Sequence, residues 1–200
     1  VGSDYFKIGP LKLIGDGSLG ARTAYMTQPY NDDDSTCGIP IYTQEQLDEM
    51  VEYAHKNGMH VVIHCIGDKI MYMVVEAMEK ALKKYPKEDH RHGIVHCQIT
   101  TKELLDKFKE LKLHAYIQSI FLDYDINIVE DRIGKERAKY TYNFKTLMDS
   151  GVITSNGSDC PVELPDVMNG VQCAVTRKTL DGKGPFLPEQ ALSVEEAIKS

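Results

Sequence analysis

Short apolar runs alternate with amphipathic segments along this chain, and that alternation restricts the fold more than any other feature. Five runs have the length and composition of buried strands. They span residues 11–14, 60–65, 92–97, 114–120 and 152–155. Repeated strand–helix units favour a parallel sheet with right-handed crossovers.

Sequence signals also indicate where the helices begin. Capping-box patterns, in which Ser or Thr precedes Glu or Gln by three residues, occur at 43–46, 100–103 and 193–196. We expect Asp68 to cap another helix, and we predict further helices over about residues 135–148 and 166–176. Residues 18–42, rich in Asp, Gly and Pro, are predicted to form a loop of the length that is often functional.

Two architectures contain such units: an open doubly wound sheet and a closed eight-stranded barrel. One Gly-x-Gly-x-x-Gly, at residues 15–20, follows the first predicted strand, but it leads into the predicted loop 18–42 and opens no helix, so the complete dinucleotide-binding fingerprint is missing from the sequence. A (β/α)8 barrel typically needs about 250 residues. The 200 residues here supply five units. We therefore predict an α/β fold of TIM-barrel type in which only the last five βα units are present.

Three predicted strands end in residues that can bind a metal. His64 ends the run Val61–Ile63, His96 ends the run at 93–95, and Asp159 follows the last strand. Because the carboxyl ends of parallel strands meet at one face, these side chains are expected to converge there. Two imidazoles and a carboxylate suit a divalent cation such as zinc and leave a position for water. A single histidine at a strand end would more often be structural, but three such residues together favour a site.

Three charged residues near the first strand are further candidates. Lys12 interrupts the apolar run 11–14, so it lies either toward the site or on the exterior of the sheet. If carboxylated by carbon dioxide, this lysine would become an anion able to bridge two metal ions. Asp16 and Arg22 follow in the loop, where each either contacts substrate or is a solvated loop charge.

Composition restricts the partners of the chain. The net charge is −7 and no basic run occurs, which argues against nucleic acid or an anionic membrane as partner. No apolar stretch approaches the ~20 residues needed to span a bilayer. Five cysteines without C-x-x-C spacing favour a reducing, cytoplasmic location. The chain starts at Val1 and stops early in its last predicted helix, so we expect a portion of a longer protein.

Four segments together resemble a known family. They are the stretches 12–24, 64–68, 96–98 and 157–162, and the tail at 189–197 also matches the pattern. In this order they are similar to the amidohydrolase superfamily, specifically amidohydrolase family 3, which contains metal-dependent hydrolases of barrel fold. The resemblance runs through nearly the whole chain.

The resemblance implies roles for individual residues. His64 and His96 would be metal ligands on barrel strands five and six, and Asp159, after strand eight, would be both ligand and proton shuttle. Lys12, on strand four, matches the position of the bridging carboxylated lysine. One or two divalent metal ions, zinc above all, are implied. The one His-x-His of this sequence, His90-Arg91-His92, precedes a later strand, so no counterpart of the family's first-strand His-x-His pair is found, and neither is the amino-terminal β-sandwich.

We therefore expect residues 1–200 to form strands four to eight of an amidohydrolase barrel. The whole protein would hydrolyse a non-peptide carbon–nitrogen bond in a small amide-type substrate, and this portion alone would be inactive. The incomplete barrel is expected to form homo-oligomers through its open edges. The rival interpretation is a non-catalytic barrel portion that needs a partner chain and serves in interaction or regulation.

Overall fold

A sheet of five parallel strands is the framework of the computed structural model, which describes residues 3–200. The strands are β1 (Leu11–Ile14), β2 (Val61–Cys65), β3 (Gly93–His96), β4 (His114–Ile117) and β5 (Thr154–Asn156). They pair in chain order, and every neighbouring pair is parallel. The prediction of an α/β fold with a parallel sheet is confirmed.

Eight α-helices connect and flank these strands in the described part of the chain. They are α1 (Gln44–Lys56), α2 (Asp68–Lys84), α3 (Lys102–Glu110), α4 (Leu122–Asp125), α5 (Val129–Ala138), α6 (Phe144–Asp149), α7 (Val167–Thr176) and α8 (Val194–Lys199). Short 3-10 helices occupy Ser119–Phe121 and Pro188–Gln190. Within residues 3–200, no helix combines the length and apolar character needed to cross a membrane.

Alternation along the strands separates two faces of the sheet. Leu13, Ile63 and Cys65 belong to or pack against the main apolar core, which the helices cover. Lys12 pairs in register with Val62, and two positions further on His64 pairs with Ile14. Because side chains alternate along a strand, Lys12 and His64 share the face opposite the helices. This face carries the candidate residues of β1 and β2.

Three of the predicted helix starts are confirmed. Thr43 and Ser193 form capping boxes with Gln46 and Glu196, and the Asp166 carboxylate caps α7. These helix starts could be predicted from the sequence because each cap involves atoms only two or three residues apart.

Two predicted caps are wrong because other contacts engage the side chains. Thr100 donates to the carbonyl of Tyr140 at 2.8 Å, and it is Thr101 that caps α3. Asp68 is the first residue of α2 rather than its cap, and its carboxylate accepts from the backbone N–H and the hydroxyl of Thr27. Both residues connect distant segments, which local spacing does not reveal.

Two predicted element boundaries are also wrong. The strand expected over 114–120 ends at Ile117, where the chain turns into the 3-10 helix. The helix expected over 135–148 is two helices, α5 and α6, separated at residues 139–143. Gly134 has a φ of +75° inside α5, so the helical path is already broken there. The end of β4 and the α5–α6 segment both flank the candidate site.

Candidate metal centre

His64 and His96 meet at the carboxyl ends of β2 and β3. His96 Nε2 lies 2.8 Å from His64 Nδ1, and the rings are nearly perpendicular. In the strand register His96 pairs with Cys65, a core residue, so a regular strand would bury its ring beneath the helices. A φ of +78° at His96 departs from strand geometry, and the ring contacts His64 instead. Such positive-φ residues are costly and concentrate at functional sites.

The second nitrogen of His64 is held by the loop that follows β1. Nε2 lies 2.9 Å from the Gly17 carbonyl and 3.3 Å from Asp16 Oδ1. Because a carbonyl oxygen only accepts hydrogen bonds, Nε2 must carry the proton. His64 Nδ1 is then the unprotonated nitrogen, and it is the one that faces His96. This orientation by a carbonyl and a carboxylate is the usual arrangement around a metal-binding histidine.

His96 is buried and neutral at physiological pH. Burial is the largest of the causes that lower the pKa of His96 to about 3; His64 and Lys12 act in the same direction, and Gln118 opposes them. The Gln118 side chain therefore lies beside the ring, yet neither His96 Nδ1 nor Gln118 Oε1 has a hydrogen-bond partner among residues 3–200. Buried atoms of this kind are rare and call for an explanation.

A metal ion between the histidines would account for both unpaired atoms. Metal binding needs the lone pair of His96 Nε2, which moves the ring proton to Nδ1. The proton would then face the free acceptor Gln118 Oε1. His64 already has the required tautomer, so the donor set fits a cation bound by one nitrogen from each ring.

Asp159 lies at the edge of this pair. Its Oδ2 is 3.9 Å from His96 Nε2, its side chain is 35 % exposed, and its φ is +55°. Within residues 3–200, no three His, Cys, Asp or Glu side chains are close enough together to hold a metal ion. Of the predicted ligands, His64 and His96 are thus in direct contact, and Asp159 is adjacent to them.

A second histidine pair shows what distinguishes this arrangement. His55 Nδ1 and His92 Nε2 are also 2.8 Å apart, at the opposite end of the sheet. There the remaining nitrogens are engaged, since Val61 N–H donates to His92 Nδ1 and His55 Nε2 contacts the Tyr85 carbonyl. That pair has no free nitrogen and no adjacent carboxylate, so its role is structural.

The other predicted site residues have defined positions. Asp16 is buried, and its carboxylate accepts from the backbone N–H groups of Tyr25, Ile66 and Gly67 while contacting His64. Arg22 forms a bidentate ion pair with Asp32 in the long loop, at 2.9 and 3.0 Å. Substrate contact by Asp16 or Arg22 stays a prediction, and the structure shows both holding the loop.

Several residues around the centre were not singled out from the sequence. The Phe121 ring stacks on His96 with centroids 5.6 Å apart. Gln118 precedes it, and Gln98 donates to the buried Asp125. Of these residues, only Gln98 had a sequence signal that could have identified it, because it directly follows His96 and Cys97. The others lie in connections with no recognisable pattern.

This fold and centre define a class of protein, and comparison with known sequences identifies it. The chain matches the Amidohydrolase family over residues 1–200, and it belongs to that family. It is similar to the putative amidohydrolase YtcJ of Bacillus subtilis (strain 168), with 36% identity over 198 residues. That alignment covers 98% of this chain and 37% of the relative.

Two solved structures share the fold. An uncharacterized metal-dependent hydrolase from Pyrococcus horikoshii OT3 is 34% identical with a TM-score of 0.85. One from Pyrococcus furiosus is 33% identical with a TM-score of 0.82. Each comparison covers 96% of this chain and 38% of the other. The chain thus spans little more than a third of the length of these relatives, and its family supports a hydrolase role.

Proposed function

We propose that the protein containing this chain is a metal-dependent hydrolase of a non-peptide carbon–nitrogen bond in a small amide-type substrate. The observation that carries the proposal is the facing pair His64 Nδ1 and His96 Nε2, 2.8 Å apart at two strand ends, with Asp159 beside it. Family membership supports the hydrolase class. The consecutive parallel order of the strands supports their assignment to strands four to eight of a (β/α)8 barrel.

We assign the metal-binding roles to four residues. His64 would bind through Nδ1 and His96 through Nε2, with Asp159 as the carboxylate ligand. Lys12, on the same face of β1, would complete the centre as a carboxylated lysine if two ions are bound. Zinc suits imidazole and carboxylate ligands.

Different residues of the chain then have different roles in the hydrolysis. A zinc ion held by His64, His96 and Asp159 would lower the pKa of a bound water and would polarise the substrate carbonyl. Asp159, partly exposed beside His96, accepts the proton of the attacking water and returns it to the leaving nitrogen. Asp16 and the Gly17 carbonyl hold the tautomer of His64, and Phe121 shields one face of His96 from water.

Zinc binding tests this assignment directly. The chain is equilibrated with zinc, and affinity is measured by competition with a chromophoric chelator. His64→Asn and His96→Asn should each weaken binding roughly tenfold or more because each removes a ligand. His60→Asn, the same change just before β2, is the matched control and should bind as the unaltered chain does. Unchanged affinity in both ligand variants would contradict the proposed centre.

Catalysis is expected to need more than these residues. The chain alone should show no measurable amide hydrolysis with zinc, because its one His-x-His, His90-Arg91-His92, lies at the opposite end of the sheet and cannot serve as the family's first-strand ligands. A longer protein that includes this region should be active, and should lose activity with Asp159→Asn because the amide can neither accept nor return the proton. Efficient metal-dependent hydrolysis by residues 1–200 would overturn the ligand assignment.

A further inference from the structure

A cavity of about 190 Å³ lies beside the candidate centre. The loops after β1, β2, β3, β4 and β5 all contribute to its wall. The lining residues that matter here are Leu19, Ile66, Gln98, Phe121, Asp125 and Glu163. Every strand end that carries a candidate ligand therefore also supplies a wall of this cavity.

The position of Phe121 connects the cavity to the centre. One ring both stacks on His96 and lines the cavity, and Ile66 is two residues beyond His64. Val162, three residues beyond Asp159, lines it as well. A substrate whose scissile bond lies at the His64–His96 pair would extend a side group into this space.

The polar lining of the cavity includes two acceptor atoms without a donor, one on Asp125 and one on Gln98, besides the hydroxyls of Ser18 and Tyr124. Asp125 Oδ2 accepts from the Tyr142 hydroxyl and from Gln98 Nε2, the latter at 2.7 Å. Because a carboxylate can only accept hydrogen bonds, the side-chain amide nitrogen of Gln98 must face Asp125. The side-chain oxygen of Gln98, Oε1, is then free to accept a hydrogen bond from another group. No described residue donates to this oxygen or to Asp125 Oδ1. Asp125 is 9% exposed and Gln98 is 1% exposed, so these acceptors lie on nearly buried side chains.

The charges around the cavity have one sign. Asp125 and Glu163 both line it, whereas no Lys, Arg or His does. Burial raises the pKa of Asp125, and the neighbouring Glu163 raises it further. A nearly buried carboxylate is normally paired with a cation, and the lining residues provide none.

We propose that this cavity binds a positively charged nitrogen group of the substrate, an ammonium above all. Resting on the proposed hydrolase function, the inference defines the substrate class as amides that carry a cationic side group. Asp125, Glu163 and the Gln98 carbonyl would accept its N–H groups. The faces of Phe121 and Tyr124 would contribute cation–π attraction.

The test measures binding of small probes to the metal-free chain. Benzylamine, positively charged at pH 7, is compared by calorimetric titration with benzyl alcohol, its neutral counterpart of similar shape. Benzylamine should bind about fivefold or more tightly, and its affinity should fall as salt is added. Glu163→Gln should remove most of this preference, and the matched control Glu130→Gln, an exposed change on α5, should retain it.

Asp125→Asn provides a second variant, with thermal unfolding to verify that it folds. It should also lose the preference for the amine. Equal affinity for the two probes, no saturable binding of benzylamine, or an undiminished preference in Glu163→Gln would each overturn the inference. His64→Asn separates the two proposals because it should lose zinc and retain benzylamine. A chain that binds zinc without amine preference would refute the cavity assignment alone.

Discussion

His96 Nδ1 and Gln118 Oε1 are buried on neighbouring side chains, and neither has a hydrogen-bond partner among residues 3–200. Gln118 Nε2 contacts the Tyr116 carbonyl at 3.3 Å, which fixes the amide so that its oxygen is the free atom. Such an oxygen beside a metal-binding ring would hold the proton on Nδ1 and direct the lone pair of Nε2 toward the ion. At the scale of single residues, we therefore expect Gln118 to act as a positioning residue for the proposed centre.

Replacing Gln118 tests this role. Gln118→Leu should lower the affinity of the chain for zinc about 10–100-fold, the usual effect of losing an outer partner of a ligand. Gln118→Glu keeps an acceptor at the same place and should retain most of the affinity. Chelator competition measures both. If the Leu and Glu variants bind zinc equally, Gln118 only fills space.

At the scale of secondary-structure elements, a network of hydrogen-bonded histidines connects two strands and three helices at the amino-terminal end of the sheet. Val61 N–H donates to His92 Nδ1, so neutral His92 carries its proton on Nε2 and donates to His55 on α1. The His92 backbone N–H donates to His90 Nδ1, and His90 Nε2 donates to the Leu111 carbonyl beyond α3. Protonating His92 would place an N–H against the Val61 N–H, so the network requires neutral rings.

This network predicts a loss of stability in acid. Burial above all, with contributions from His90 and His55, lowers the pKa of His92 to about 3, against 6.5 when unfolded. Between these values the unfolded chain binds the extra proton, so the stabilisation is full above pH 6.5 and is lost as the pH falls toward 3. The free energy of unfolding should decrease by about 1.4 kcal/mol per pH unit from this residue alone.

Urea unfolding at several pH values between 6.5 and 4.5 measures the effect. His92→Asn retains an acceptor for Val61 N–H but cannot titrate, so its unfolding free energy should fall less steeply than that of the unaltered chain. His60→Asn should leave the slope nearly unchanged. Equal slopes for all three proteins would show that His92 does not control acid stability.

At the scale of the whole molecule, the sheet has two unpaired edges and one face without helices. β1 and β5 each pair with a single neighbour. Ile14 at the end of β1 is 53% exposed, and Ile153 beside β5 is 61% exposed. Exposed apolar residues near open strand edges favour association with another chain.

We expect the isolated chain to self-associate at micromolar concentration, as light scattering would show. Ile153→Lys places a charge beside the β5 edge and should shift the population toward monomer. Tyr53→Lys, an apolar-to-Lys change on the exposed side of α1, should leave association unaltered. A cooperative, stable monomer would refute the incomplete-barrel proposal and favour an open sheet.

The sequence alone was sufficient for the strand–helix order, the parallel sheet, the caps at Thr43 and Ser193 and the start of the helix at residue 166. These features depend on periodicity and on contacts between near neighbours, which the sequence displays directly. The positions of His64 and His96 at strand ends were predictable for the same reason, because an apolar run that terminates in a polar residue is a local pattern.

Only the tertiary structure decided how those residues are used. The His64–His96 contact depends on a positive φ at His96, against the orientation that strand alternation would give. Asp68 and Thr100 serve distant segments instead of capping helices, and Gln118 and Asp125 acquire their environments from residues far away in the chain. Backbone turns and long-range packing fix tautomers, unpaired acceptors and cavities, because each depends on which distant atoms fill the space around a side chain.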